Sequence, residues 1–134
     1  MQRLRERLEI ARRAVASLTE LTGHGGLSPV ERDAAIQRFE YSVEAVWKAA
    51  QRYLRVVEGI EVGSPKSAVR GCFEATVLGE VEARRLLAMI DDRNLTVHTY
   101  NEALAQAIAS RLSPHAEALA GWIAAVSERV LDEA

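Results

Sequence analysis

Four residues able to do chemistry fall within the short stretch IDDRNLTVHTYNE, residues 90–102: Arg93, Asn94, His98 and Tyr100. Arginine stays charged at any ordinary pH, and its forked donors match phosphate oxygens. Histidine can take or give a proton near neutrality. A tyrosine phenol is an acceptor for a transferred group. Together they suggest chemistry at a phosphate. In a continuous helix, Arg93 and His98 would be about 140° apart around the axis and would not converge. Thr99 and Glu102 have the spacing of a capping box, which predicts a helix starting at Thr99 and an irregular junction over 92–98. A bend there would bring Arg93 and His98 together, next to a helix N-terminus that favours an anion. The plainer alternative pairs Arg93 with Asp91 or Asp92 and leaves His98 packing the junction.

The elements that must position this segment all read as helix. All three prolines follow a serine: Ser28-Pro29, Ser64-Pro65 and Ser113-Pro114. Ser at the cap and Pro at the first helical position mark a helix start; Glu31 adds a capping box to Ser28. The first helix is expected over about 2–22, on the stripe Leu4, Leu8, Ala11, Val15, Leu18 and Leu21. The second runs over about 29–58, with Ile36, Phe39, Val43, Val46, Ala50, Leu54 and Val57 inward. A short third carries Ala68, Val69, Cys72 and Phe73. A fourth spans about 80–91 with Val81, Leu86, Leu87 and Ile90. A long fifth starts near 100, with Leu104, Ile108, Leu112, Leu119, Ile123, Val126 and Val130, kinked or restarted at Pro114. These spacings of three and four are helical, and no run alternates as a strand does. Short loops between long helices make neighbours antiparallel. The expected fold is all-α, an up-and-down antiparallel bundle of four to five helices forming one domain over 1–134.

Composition narrows the class. The chain has 134 residues, 49% apolar and 27% charged, with a net charge of −2. That describes a soluble globular domain able to bury a core unaided. No run approaches the ~18 to 20 apolar residues of a membrane span, and the start MQRLRERLEI carries no hydrophobic signal region. The lone Cys72 excludes an internal disulfide and a cysteine-based zinc site; the cytoplasm is the expected compartment. Two helices of roughly 40 Å leave a long side open. Trp47, Tyr53 and Trp122 either help cover it in a homodimer or cap the monomer core. His24 and His115 read as surface residues. Lys48 and Lys66 are the only lysines among 17 basic residues, and Arg70, Arg84, Arg85 and Arg93 would form a local cationic patch.

The segment RNLTVH matches the R-x4-H motif, with Asn after the Arg, of the HEPN superfamily of small helical proteins; HTY extends it to H-x-Y. The blocks RFEYSVEAVWKAAQRYL (38–54), SPKSAVRGCFE (64–74) and MIDDRNLTVHTYNEALAQAI (89–108) resemble, in order, those of the nucleotidyltransferase substrate-binding protein family. The resemblance covers about residues 30–130. One departure is TVLGEVE (76–82), which lacks the aromatic residue often found there in that family.

The resemblance implies a homodimeric helical bundle acting as a metal-independent endoribonuclease toxin on RNA, not DNA, without a cofactor. Arg93, His98 and Asn94 would be its catalytic residues. The implied partner is a minimal nucleotidyltransferase, the antitoxin, that transfers AMP to Tyr100. Metal-free RNA cleavage suits these side chains: His98 for proton transfer, Arg93 for the phosphorane charge, Asn94 holding the Arg or the phosphate. One His per chain does not easily serve as both base and acid, so two chains would supply two. A non-catalytic subunit that complexes with the nucleotidyltransferase is the alternative; a purely structural bundle is the third reading.

Overall fold

The computed structural model describes residues 1–133. Six α-helices account for most of the chain, and no strand occurs among the described residues: α1 Gln2–Thr22, α2 Pro29–Tyr53, α3 Pro65–Glu74, α4 Glu80–Leu95, α5 Glu102–Ala109 and α6 Leu112–Glu133. The helix count exceeds the expected four to five because the long last helix is two.

Two of the three Ser-Pro signals act as anticipated. Ser28 Oγ accepts the Glu31 N–H at 3.1 Å, and Glu31 accepts the Ser28 N–H at 2.9 Å. Ser64 caps α3 by accepting from the Ser67 N–H, and Ser67 returns the bond. The third differs. The break falls at Ser110–Arg111, α6 begins at Leu112, and Pro114 sits inside its first turn. A proline is tolerated there because the first N–H groups of a helix have no intrahelical acceptor.

α1 and α2 fold back on each other, and α6 packs across both. Leu4, Leu8, Ala11, Val15 and Leu18 meet Phe39, Val43, Val46 and Ala50 of α2 and Leu119, Trp122, Ile123 and Val126 of α6 in one core. α3 lies on α2, α4 joins α3 to α6, and α5 rests on α2. Trp47, Tyr53 and Trp122 are buried within this core, so they cap the monomer and do not cover an exposed flank. Phe73 and Val81, expected inward, are exposed; each lies near a helix end, where the apolar stripe runs past its neighbour.

α2 continues past Tyr53 as one π-helical turn, Leu54–Glu58, closed by Gly59 in the left-handed region at φ +70°. Glycine adopts that conformation without a Cβ penalty. The wider turn carries Glu58 back to accept the Tyr53 hydroxyl, with Arg129 beside it at 3.6 Å. Burial, and then the Glu58 carboxylate, push the Tyr53 phenol up to about 12. Gly71 of α3 faces the turn: a Cβ there would meet Leu54 Cδ1 at 2.8 Å. The close approach of α3 to α2 therefore depends on the missing side chain.

Candidate functional site

α4 continues as regular helix through Arg93 and Asn94 to Leu95. A 3-10 turn, Thr96–His98, and a short turn then lead into α5. The junction is thus shorter and more regular than the expected irregular stretch over 92–98. The Thr99–Glu102 capping box does not form. The Thr99 hydroxyl turns back to the Thr96 carbonyl at 3.0 Å, and Glu102 is taken by Arg32 of α2. Asn101 caps α5 instead, its Oδ1 accepting the Leu104 N–H at 3.1 Å. The N-cap position of α5 is therefore filled by the chain's own side chain, and His98 and Tyr100 precede it.

Arg93 is half-buried against α2. Its Nη1 donates to Thr96 Oγ1 at 3.0 Å and lies 3.5 Å from Glu40 Oε2. The Thr96 hydroxyl lies 2.9 Å from Glu40 and 2.7 Å from the Arg93 carbonyl, so its one hydrogen serves either. The pairing with Asp91 or Asp92 considered from sequence is absent: Asp91 pairs with Lys66, and Asp92 turns inward. Asn94 and His98 are exposed. His98 Nδ1 is 3.4 Å from the Tyr100 hydroxyl, with the rings edge to face at 5.9 Å. Tyr100 is 85% exposed, open to any approaching molecule. The structure thus brings Arg93 to Glu40 and Thr96, and His98 to Tyr100. Arg93 and His98 make no hydrogen bond to each other among the described residues.

Beneath the motif lies a cluster that sequence reasoning missed. The Asp92 carboxylate accepts Arg111 Nε at 2.7 Å, Arg111 Nη2 at 2.8 Å and His115 Nε2 at 2.7 Å. A carboxylate can only accept, so His115 carries its proton on Nε2. The His115 ring stacks on Phe39 at 5.3 Å. Expected at the surface, His115 is buried, because α6 starts early enough to turn it onto α2 and α4. Arg111, and then His115, hold the Asp92 carboxyl below its ordinary range. The cluster ties the end of α4 to the α5–α6 break and fixes the rotation that points Arg93 at α2.

The anticipated patch of Arg70, Arg84, Arg85 and Arg93 is not one surface. Nine residues of helix put Arg84 about 180° from Arg93. Arg84 pairs with Glu80, and Arg85 reaches the Pro114 carbonyl and Glu117. No group of three or more His, Cys, Asp or Glu side chains is placed to hold a metal among the described residues. No described helix is long and apolar enough to cross a membrane.

The helical bundle has counterparts of known structure. The fold is that of HEPN proteins: a tri-AMPylated HEPN toxin from Shewanella oneidensis, solved with its MNT antitoxin, superposes with a TM-score of 0.76 at 16% identity, covering 93% of this chain and 96% of that one. The toxin–antitoxin MntA–HpeT, in a mutant form, gives a TM-score of 0.79 at 16% identity over 96% and 99% of the two chains. A Thermus thermophilus protein is 52% identical, with a TM-score of 0.83 over 87% of this chain and 98% of that one. No curated protein sequence matches. The sequence model for proteins described as nucleotidyltransferase substrate binding protein like matches residues 6–127, and the chain belongs to that family.

Proposed function

We propose that this protein is a metal-independent endoribonuclease toxin held in check by a minimal nucleotidyltransferase that adds AMP to Tyr100. The observation that carries the reading is the exposed His98–Tyr100 pair, set one 3-10 turn beyond the anchored Arg93. A general base needs access to the substrate hydroxyl, and His98 has it. Leu95, Val97 and Tyr100, near His98 in the chain, are all exposed and leave apolar surface on this segment. This favours a second copy docking there, bringing a second imidazole to the same phosphate.

In this mechanism one His98 takes the proton of the ribose 2′-hydroxyl. The 2′-oxygen bonds to phosphorus, the bond to the 5′-oxygen breaks, and His98 of the other copy protonates the leaving oxygen. Arg93 balances the added negative charge, leaving Glu40 for phosphate, and Asn94 orients the strand. Silencing forms a bond from the Tyr100 oxygen to the α-phosphorus of ATP. Pyrophosphate leaves, and a base of the transferase takes the phenol proton. The bulky anion then occupies the space the RNA phosphate needs.

The test is cleavage of RNA by the purified chain in EDTA. Wild type should leave 2′,3′-cyclic phosphate ends, and His98→Ala and Arg93→Ala should each abolish cleavage with helicity intact. Cleavage that stops on chelation, or survives both substitutions, removes the assignment. A second reading, a non-catalytic subunit that presents itself to the transferase, draws on the same exposure of Tyr100. It is the one left if Tyr100 accepts AMP but no RNA is cut.

A further inference from the structure

The net charge of −2 gives this chain no general attraction for a polyanion, yet one basin is strongly cationic. Arg7 of α1 and Lys48, Arg52 and Arg55 of α2 and its π turn line a depression of about 170 Å³, with Gln51 and Glu61 completing the wall. Two of the cations have partners: Arg55 pairs with Glu61 at 3.3 Å and Lys48 with Glu44 at 3.9 Å. Arg7 and Arg52 have no carboxylate partner among the described residues. Arg52 Nε is fully buried and donates to nothing, although a buried donor without an acceptor is costly and rare. Arg3, exposed one turn before Arg7, extends the positive surface.

The basin continues along α2 from the motif. Arg55, Lys48 and Arg52 lie about 60°, 80° and 120° from Glu40 around α2, and about 12 to 22 Å along it. Glu40 is the residue that holds Arg93. Between them Glu44 is engaged by the Trp47 indole N–H at 2.9 Å. A strand whose scissile phosphate lies at Arg93 would therefore bring further phosphates over the basin a few nucleotides away.

We infer that Arg7, Lys48, Arg52 and Arg55 form a phosphate-backbone subsite for single-stranded RNA, separate from the cleavage motif; this rests on the reading of the chain as RNA-directed. Arg7 and Arg52, neither of which has a carboxylate partner among the described residues, supply forked contacts to phosphate oxygens, the Arg52 side chain swinging outward to do so. The subsite reads no base and would set affinity and salt dependence, not sequence.

The experiment is fluorescence anisotropy of a labelled, uncleavable 2′-O-methyl RNA with the full chain, repeated across a salt series. For single strands, log affinity falls with log salt at about 0.7 per phosphate contact. Arg7→Gln/Arg55→Gln should therefore flatten the slope by about 1.4, and Arg52→Gln by about 0.7. The first variant leaves the half-buried Arg52 in place and so guards against misfolding. Arg84→Gln, on the opposite side of α4 from Arg93 and paired with Glu80, should bind with the wild-type slope. An unchanged slope in the basin variants, or no RNA binding by wild type, overturns the subsite. So does competition by a polyglutamate peptide as strong as by RNA, which would assign the basin to an acidic protein surface. A wild type that binds with the expected slope but never cleaves refutes the nuclease reading and leaves the subsite standing.

Discussion

Replacing Asp92 with Asn tests what fixes the motif in place. Asn has the same shape but presents one oxygen where Asp presents two. Both partners of Asp92, Arg111 and His115, are donors, so the new NH2 must face one of them. Arg111 is 45% exposed along its side chain and can turn to water, so its lost ion pair is worth about 1 kcal/mol at most. His115 is 11% exposed and cannot; leaving its N–H without an acceptor costs about 1–3 kcal/mol. Because the NH2 faces only one of them, the two losses do not add: the expected loss is about 1–3 kcal/mol, or roughly 3–12 °C in Tm for a domain of this length. Urea melts at fixed protein concentration should show a lower midpoint with the slope unchanged. Asp91→Asn is the control: on the same helix but exposed, paired with Lys66, it should cost under about 1 kcal/mol.

The pH dependence sharpens the test. Arg111 first, and His115 next, depress the Asp92 pKa below its ordinary value of 3.8. A depressed carboxylate stabilises the folded state fully above its unfolded pKa and loses that contribution as pH falls through the folded one. The gap between wild type and Asp92→Asn should be full at neutral pH and close only well into acid, below the ordinary carboxylate range. A gap under about 1 kcal/mol at neutral pH, or one equal to that of Asp91→Asn, refutes the clamp.

Other outcomes follow from single features. Gly71→Ala places a Cβ 2.8 Å from Leu54 Cδ1 and 3.3 Å from Val62 Cγ1, and overpacking of this kind should cost about 1–3 kcal/mol in a urea melt. Light scattering should give roughly twice the monomer mass if the apolar surface around His98 seats a second copy; a strict monomer at micromolar concentration removes the two-histidine mechanism. With the cognate transferase and ATP, intact mass should rise by one or more AMP groups, and the gain should vanish in Tyr100→Phe.

Much of the bundle was legible because its signals are local. Ser28 with Glu31 and Ser64 with Pro65 fixed two helix starts, and the apolar spacing of α1, α2 and α6 picked out the side chains now in the core. What escaped was decided across the chain. Thr99 and Glu102 have capping-box spacing, but Arg32, 70 residues away, claims Glu102, and Asn101 is two residues nearer the helix start. Ser113-Pro114 looked like a helix start, yet the chain breaks earlier, where Arg111 turns to Asp92. His115 and Asp92 are 23 residues apart, and no periodicity links them. The π turn had no signature either, since the apolar spacing through Leu54 and Val57 continues that of α2.

The path of the backbone also bears on why a motif of this spacing would need two chains. From Arg93 the helix turns about 100° per residue to Leu95, then about 120° per residue through the 3-10 turn, so His98 leaves the axis roughly 200° from Arg93. Over the same stretch the backbone rises roughly 9 Å. Thr96 falls close to the Arg93 direction, in keeping with their 3.0 Å bond, while Leu95 shares the side of His98. One face is held down by Glu40, Thr96 and, beneath it, Asp92; the other carries His98 with exposed Leu95 and Tyr100, and exposed Val97 lies between the two. A phosphate touching both Arg93 and His98 of one chain would have to reach around the helix. Across a two-fold axis the same patch meets itself, and the histidine face of one copy can lie over a phosphate held by the other. The regular α-to-3-10 passage that keeps Arg93 and His98 apart within a chain is thus what a composite site would use.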